Sequence, residues 1–330
     1  MRVHRYARVF LNETIGGSLK VLVTGGCGYK GSVLVPKLLK KHDVTVVDTM
    51  WFGSALEEHP NLSIREGDIR NPVDCTGFDA IIHLAGIAND PCGELDARLT
   101  WEVNVLATMR LAESAVDAGV KQFIFASSAS VYGIKDNEAV NEDSPLAPVS
   151  DYNKTKQVAE RVLKSYGGFY LKIVRPATVC GVSPRMRLDV VVNMLTAQAL
   201  EKGEITVHCG SHGAELMRPH VHIEDITDLY CWLLERPGDC VFNAGFDNQS
   251  IGTTGKLINE RIPSKMYVSQ VMDKRSYCVD SSRLLREFTP KRGVKDAIED
   301  IVIAWGEGRI KPGPKTMNLQ WMKSQGLVAQ

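Results

Sequence analysis

Tyr152 and Lys156 stand four residues apart in Tyr152-Asn153-Lys154-Thr155-Lys156, a spacing that puts both side chains on one face of a helix. An ammonium beside a phenol stabilises the phenolate, and a nearby cationic ring adds to that, so the phenol pKa falls from about 10 toward neutrality. A tyrosine so placed can act as general base. Taken alone, such a pair on a helix arises by chance; its weight comes from its position behind the apolar run that ends at Ser127-Ser128. The Ser128 hydroxyl either bonds a substrate oxygen and relays its proton to Tyr152, or belongs to a Ser-rich turn.

A second constellation lies near the start of the chain. Residues 24–31, Thr-Gly-Gly-Cys-Gly-Tyr-Lys-Gly, directly follow the apolar run 19–23, and Val44-Thr45-Val46-Val47-Asp48 comes after them. This reads as strand, glycine turn, helix and a second strand ending in an acid. Gly25, Gly28 and Gly31 sit where the backbone must turn sharply, approach a pyrophosphate and let the helix pack on its strand. The helix N-terminus offers free N–H groups to phosphates. Asp48 is placed to accept hydrogen bonds from both hydroxyls of a ribose and to repel a 2′-phosphate, which favours NAD over NADP. Tyr29 and Lys30 fall on the opening turn with the cofactor. Lys30 stands where an apolar residue is expected, and either touches phosphate or reaches solvent.

The elements that must position these residues follow a regular alternation. Strand-like runs recur at 44–47, 63–65, 80–83, 122–126 and 171–174, separated by helical patterns at 103–118 and 152–165. That order predicts an α/β fold, a doubly wound parallel sheet of Rossmann type, with ligands along the carboxyl ends of its strands. Gly67-Asp68-Ile69, His83-Leu84-Ala85-Gly86 and Ser127-Ser128-Ala129-Ser130-Val131-Tyr132-Gly133 all follow strands. Asn104 opens a helical pattern, where it either supports the site or caps the helix. Beyond Arg175-Pro176 the alternation fades into Pro-punctuated stretches with short helices. The expected organisation is an extension over 1–18, an NAD-binding domain over 19–180 with a return segment at about 218–245, and a smaller α/β substrate-binding domain over 181–217 and 246–330.

Composition excludes several function classes. Lys plus Arg equals Asp plus Glu at 39 each, so no global field draws the chain to nucleic acid or an acidic membrane. No apolar run approaches the roughly 20 residues that span a bilayer, and the arginines of 1–18 lack the apolar core of a secretory signal. Eight cysteines show no CxxC pair or framework spacing, which fits free thiols in a reducing cytoplasm. His220 and His222 share a strand face, but without a third ligand they read as structural rather than metal-binding.

Together TGGCGYKG, Asp48, Gly67-Asp68-Ile69, HLAG, SSASVYG, YNKTK and RPATVCG resemble the extended short-chain dehydrogenase/reductase family, in its NAD-dependent nucleotide-sugar epimerase/dehydratase branch, from about residue 20 to about 300. The resemblance implies Ser128, Tyr152 and Lys156 as the catalytic set, Asp68 and Ile69 near adenine, Leu84, Ala85 and Gly86 along the cofactor, and Ala177 to Val179 behind the nicotinamide. It also implies that Arg218, in Arg218-Pro219-His220-Val221-His222, holds the nucleotide diphosphate, a role a guanidinium suits by its bidentate geometry. Arg275, Arg185 and Arg187 are weaker candidates for the same ligand.

The chain departs from the pattern in two places. Sugar 4,6-dehydratases of this branch carry an acid just after the catalytic Ser or Thr, and here Ala129-Ser130 stand there, which disfavours that reaction. Cys180 replaces an aromatic residue and shapes the sugar pocket, either as a packing cysteine or in proton transfer. The expectation is therefore an NAD-dependent epimerase of a nucleotide-activated sugar, working through a 4-keto intermediate. A nucleotide 4-keto-sugar reductase is the alternative within the enzyme class, and a non-catalytic cofactor sensor the alternative outside it. Apolar residues beyond one core-facing stripe, Leu106, Met109, Leu111, Val158 and Leu163, predict a homodimer through the helices 103–118 and 152–165.

Overall fold

The computed structural model describes residues 17–135, 138–271 and 276–326; nearly all of the extension at 1–18 lies outside them. The chain forms two compact units. The first comprises the chain up to Ser127, Ser150–Val174 and Thr227–Val241; the second comprises Ser128–Val149, Arg175–Ile226 and the chain from Phe242 onward.

The first unit is built on β1 (Lys20–Thr24), β2 (Asp43–Asp48), β3 (Leu62–Glu66), β4 (Ala80–His83) and β5 (Gln122–Ala126). They belong to a seven-stranded sheet that runs Cys240–Ala244, Tyr170–Pro176, β5, β4, β1, β2, β3. Every pairing from Tyr170–Pro176 to β3 is parallel. The helices include α1 (Gly31–Leu38), α2 (Asp90–Gly93), α3 (Ala97–Trp101), α4 (Ala107–Asp117) and α5 (Asp151–Ser165). Central strands covered on both faces must be apolar throughout rather than alternating. Accordingly Val21 to Val23, Ile81, Ile82, Phe123 and Ile124 are all fully buried, whereas edge strand β3 is half-exposed.

The glycine turn between β1 and α1 exists because two positions tolerate no side chain. Gly25 has φ of +73°, and a Cβ there would lie 2.6 Å from the amide nitrogen of Ala85. A Cβ on Gly31 would lie 2.3 Å from the carbonyl oxygen of Gly26. Backbone cannot yield as a flexible side-chain end does, so α1 and the loop after β4 close directly on the turn.

The helix expected over 103–118 is two pieces. Glu102–Leu106 forms one π-helical turn in which the Ala107 amide donates to the Glu102 carbonyl, and α4 follows. Such a turn inserts a residue and re-aims the side chains within it; Asn104 is one of them.

In the second unit, Asp247–Ser250, Met217–His222 and Thr178–Cys180 form a three-stranded sheet, and Lys265–Gln270 pairs with Glu204–Cys209. The helices there are not short, as the sequence suggested: Val191–Lys202 has 12 residues and Val294–Gly306 has 13. They bury Val192, Leu195 and Ala199 in one core with Val294, Ala297 and Ile298. Among the described residues no helix is long and apolar enough to cross a membrane.

Candidate active site

Helix α5 presents Tyr152 and Lys156, and its start is fixed from two sides. Ser150 caps it by accepting the Asn153 amide at 3.2 Å and donates its own hydroxyl to the Asp90 carboxylate of α2. Gly93, the last residue of α2, backs onto Tyr152 so closely that a Cβ there would sit 2.8 Å from the Tyr152 Cβ. The buried stripe of α5 runs Asn153, Thr155, Lys156, Ala159, Glu160, Leu163. Four of these six are polar, a costly composition unless each finds a partner.

Each of the central ones does. Lys156 Nζ donates to the Ala126 carbonyl at the end of β5 at 2.9 Å and lies 4.9 Å from the centre of the Phe125 ring. Burial, with the charge of Lys30 adding to it and that of Glu160 opposing, brings Lys156 down to about 7. It therefore changes charge near neutrality, where a proton-transfer partner is useful. One turn on, the Glu160 carboxylate accepts the Ser127 hydroxyl at 2.5 Å.

The loop after β4 is held at both ends. Leu84 N–H donates to the Thr24 carbonyl at 2.9 Å, and Asn104 receives the Ile87 amide at 2.9 Å while donating to the Ile87 carbonyl and the Thr155 hydroxyl at 3.1 Å each. Asn104 is thus a brace between loop and α5, not a helix cap. The backbone of Gly86 faces the site: a Cβ there would meet Asn104 Oδ1 at 2.8 Å and Lys156 Nζ at 3.4 Å. Behind it, His83 bonds Thr24 Oγ1 at 2.6 Å and Thr108 Oγ1 at 2.9 Å. Burial, helped by the Lys156 charge, pushes it down to about 3, so the ring is neutral.

The other predicted cofactor residues take the following places. Asp48 accepts the Cys27 amide at 3.0 Å and the Met50 amide at 2.8 Å, so its carboxylate also fastens the glycine turn to the end of β2. Asp68 grips the Arg70 guanidinium at 2.7 and 2.9 Å; burial raises its pKa, but the Arg70 bonds and charge outweigh burial and lower it. Ile69 and Tyr29 are buried. A Cβ on Gly28 would meet only the Gly25 carbonyl, at 3.3 Å. Bare backbone, a helix N-terminus and an acid at the second strand tip are what a dinucleotide requires, and the first unit contains all three.

Ser128, Ala177, Val179, Cys180, Arg187 and Arg218 belong to the second unit. The Ser128 hydroxyl pairs with that of Ser130 at 2.7 Å and caps the turn Ala129–Tyr132. Ala129 is fully buried. The Cys180 thiol is buried against the Val221 carbonyl at 3.6 Å, and burial, with Asp247 and Asp225 adding, pushes its pKa far up. Arg187 donates to Asp189 at 2.8 Å, Arg185 to Asn318 at 2.7 Å, and Arg218 to the Met217 carbonyl at 2.9 Å. Arg275 lies outside the described residues. His220 is buried and pushed down to about 4 by burial and by Arg218. No three His, Cys, Asp or Glu side chains among the described residues group as a metal site would require.

Residues the sequence reading did not single out are Thr24, Ser150, Gly93, Glu160 and Tyr230. Glu160 carries a signal, being four residues after Lys156 on the same helical face. Tyr230 carries none, since it arrives from a distant stretch of the chain.

The model of the NAD dependent epimerase/dehydratase family matches residues 21–245. The chain belongs to that family. Its cofactor is NAD, and the expected relationship to the extended short-chain dehydrogenases/reductases holds. Among curated relatives of this epimerase/dehydratase family member, the UDP-glucose 4-epimerase of Lactobacillus helveticus is 27% identical over 322 residues, covering 87% of this chain and 96% of its own. A UDP-glucose 4-epimerase 4 of Oryza sativa subsp. japonica is 35% identical over 166 residues, covering 45% of each chain. Among solved structures, MoeE5 in complex with UDP-glucose and NAD superposes with a TM-score of 0.76 at 26% identity, covering 88% of this chain and 99% of its own. The dTDP-glucose 4,6-dehydratase DesIV of Streptomyces venezuelae has a TM-score of 0.79 at 24% identity, over 88% and 98% of the two chains, a likeness of fold.

Proposed function

We propose that this enzyme interconverts nucleotide-activated hexoses that are epimeric at carbon 4. The observation that carries the reading is the placement of Tyr152 on α5 one helical turn before a buried Lys156, which is held to the Ala126 carbonyl and faces the Gly86 backbone. NAD supplies the acceptor, and then the donor, of a hydride at that carbon. Gly25, Gly28, Gly31 and the start of α1 would hold its pyrophosphate, Asp48 its adenosine ribose, and Leu84 to Gly86 its length. Lys156 would hold the nicotinamide ribose.

Tyr152 removes the proton from the 4-hydroxyl and later returns one to the same oxygen, while the 4-keto sugar presents its other face between the two steps. Ser128 bonds the same oxygen. A dehydration would need a further acid after Ser128, and the buried Ala129 offers none. The second unit is proposed to bind the nucleotide sugar, with Arg218 on the diphosphate and Arg187 and Arg275 as further candidates. The names of the relatives support a UDP-linked sugar. A homodimer is proposed through the faces carrying Leu106, which is 44% exposed, and the half-buried Met109 and Val158; Leu111 and Leu163, counted with them in the sequence, are instead buried in the chain's own core. The eight free thiols support a cytoplasmic setting.

The test is direct. Purified protein with NAD should interconvert UDP-glucose and UDP-galactose or another 4-epimeric pair, and Tyr152→Phe should abolish this. Failure with every pair offered would sink the reading, and stoichiometric consumption of NADH by a 4-keto sugar nucleotide would replace it with a reductase.

A further inference from the structure

Five buried side chains link the glycine turn to the start of α5 in an unbroken run of hydrogen bonds. The run begins at Thr24, at the end of β1, whose Oγ1 lies 2.6 Å from His83 Nδ1. On the other side of the ring, Nε2 lies 2.9 Å from the Thr108 hydroxyl of α4. Thr108 reaches back to the carbonyl of Asn104 at 2.9 Å. The Asn104 amide continues to the Thr155 hydroxyl at 3.1 Å, and that hydroxyl to the carbonyl of Tyr152 at 2.7 Å. Thr24, Thr108 and Thr155 are fully buried, and His83 and Asn104 nearly so.

Proton counting allows the chain one arrangement. A hydroxyl has a single proton to give, and a carbonyl oxygen can only accept. Thr108 gives its proton to the Asn104 carbonyl, so it accepts from His83, and Nε2 carries the ring proton. Nδ1 is then the bare nitrogen, to which the Thr24 hydroxyl donates. A second ring proton, on Nδ1, would leave the Thr24 hydroxyl proton without an acceptor in a buried place, so the geometry holds the ring neutral. Thr155 gives its proton to the Tyr152 carbonyl and accepts from Asn104 Nδ2. Every donor therefore points the same way, from the glycine turn toward Tyr152.

Both helix threonines bond a carbonyl of the preceding turn, a habit of buried threonine hydroxyls. Here the two carbonyls belong to Asn104 and Tyr152. Asn104 also holds Ile87 by its amide and its carbonyl, so the loop after β4 is tied into the same chain. In a buried network aligned bonds strengthen one another, and losing one link is felt at the others.

We propose that Thr155 and Thr108 are positioning residues of the site: through this one-way chain they hold the Tyr152 end of α5 in register with the glycine turn and the loop after β4, the two segments assigned to the cofactor. The proposal rests on Tyr152 being the reacting phenol. Neither threonine is assigned a contact with cofactor or substrate, so removing its hydroxyl should act on the rate and not on binding.

Two measurements test it. The first needs no turnover: long-range proton–nitrogen NMR correlation spectra of the nitrogen-labelled, NAD-supplied protein, with His83 picked out among the 8 histidines by its absence from His83→Gln. His83 should appear as a neutral ring protonated at Nε2, and protonation at Nδ1 or at both nitrogens overturns the chain. The second is steady-state kinetics. Thr155→Val, with Thr155→Ala in reserve should the first fail to fold, should lower kcat about tenfold while KM and the NAD dissociation constant stay within about twofold. Thr155→Ser keeps the hydroxyl and should recover the parent rate. Thr108→Val combined with Thr155→Val should cost less than the two separate losses together, because both cut one chain. An unchanged kcat in Thr155→Val, a weakening of KM or NAD affinity to match its loss of rate, or losses that add independently would overturn the positioning role. A protein that converts no sugar nucleotide overturns the epimerase reading, and the histidine spectrum then still decides for or against the chain.

Discussion

Gly93→Ala places a methyl group against the root of the Tyr152 side chain, 2.8 Å from its Cβ and 3.4 Å from its Cα and amide nitrogen. Carbon atoms in ordinary contact stand about 3.5–4.0 Å apart, so the two helices must separate by about 0.7 Å or more. Relief by rotamer change is closed, because the atoms met are backbone and Cβ. Displacement of Tyr152 by that amount falls within the range in which a shift of about 1 Å costs about a hundredfold in rate. We expect a loss in kcat of between roughly tenfold and a hundredfold, with a stability loss of about 1–3 kcal/mol. Initial-rate epimerisation assays and urea melts on the same preparation measure both. The control is Gly306→Ala, where a Cβ would meet nothing within 4 Å and the helix should be unharmed or slightly stabilised. If Gly93→Ala folds and retains activity within about twofold of the parent, the placement of Tyr152 by α2 does not govern the rate, and the reasoning fails.

Three further outcomes are expected. Gly31→Ala drives a Cβ into the Gly26 backbone at 2.3 Å, so the purified variant should carry no NAD, and extraction of cofactor at the parent level would contradict the turn's role. Lys172, fully buried, bonds the Gln122 side chain and the carbonyls of Leu233, at 2.6 Å, and Arg236. Lys172→Met strands these acceptors and should cost about 3–5 kcal/mol in denaturant melts. His83 sits at about 3 in the folded chain against 6.5 as its ordinary value. As pH falls below about 6.5 the unfolded chain takes up this proton first, so stability drops toward pH 3 and is unaffected above about 7. Urea midpoints across that range should fall less steeply for His83→Gln than for the parent; parallel slopes would exclude the neutral buried ring.

Much of the fold was legible because its signals are local. Central strands of a doubly covered sheet are unbroken apolar runs, so 80–83 and 122–126 were read to the residue. The glycines of the turn and the Tyr152–Lys156 spacing are likewise local facts. What was not legible depends on distant contacts. The π-helical turn that makes Asn104 a brace follows from Ile87 and Thr155, neither of which marks position 104. The long helices of the second unit were hidden because 191–202 is apolar on most sides, and its partner in the core lies about a hundred residues on. Lys30 read as an anomaly since Tyr230, whose ring centre lies 5.9 Å from its ammonium, is separated from it by most of the chain.

The most direct test of the account follows the hydrogen at carbon 4. A sugar nucleotide deuterated there, converted by the NAD-loaded enzyme in ordinary water, should yield the epimer with its deuterium retained at the same carbon and no net NADH formed. Loss of the label to solvent, or its retention without any inversion, would contradict transient oxidation at that carbon.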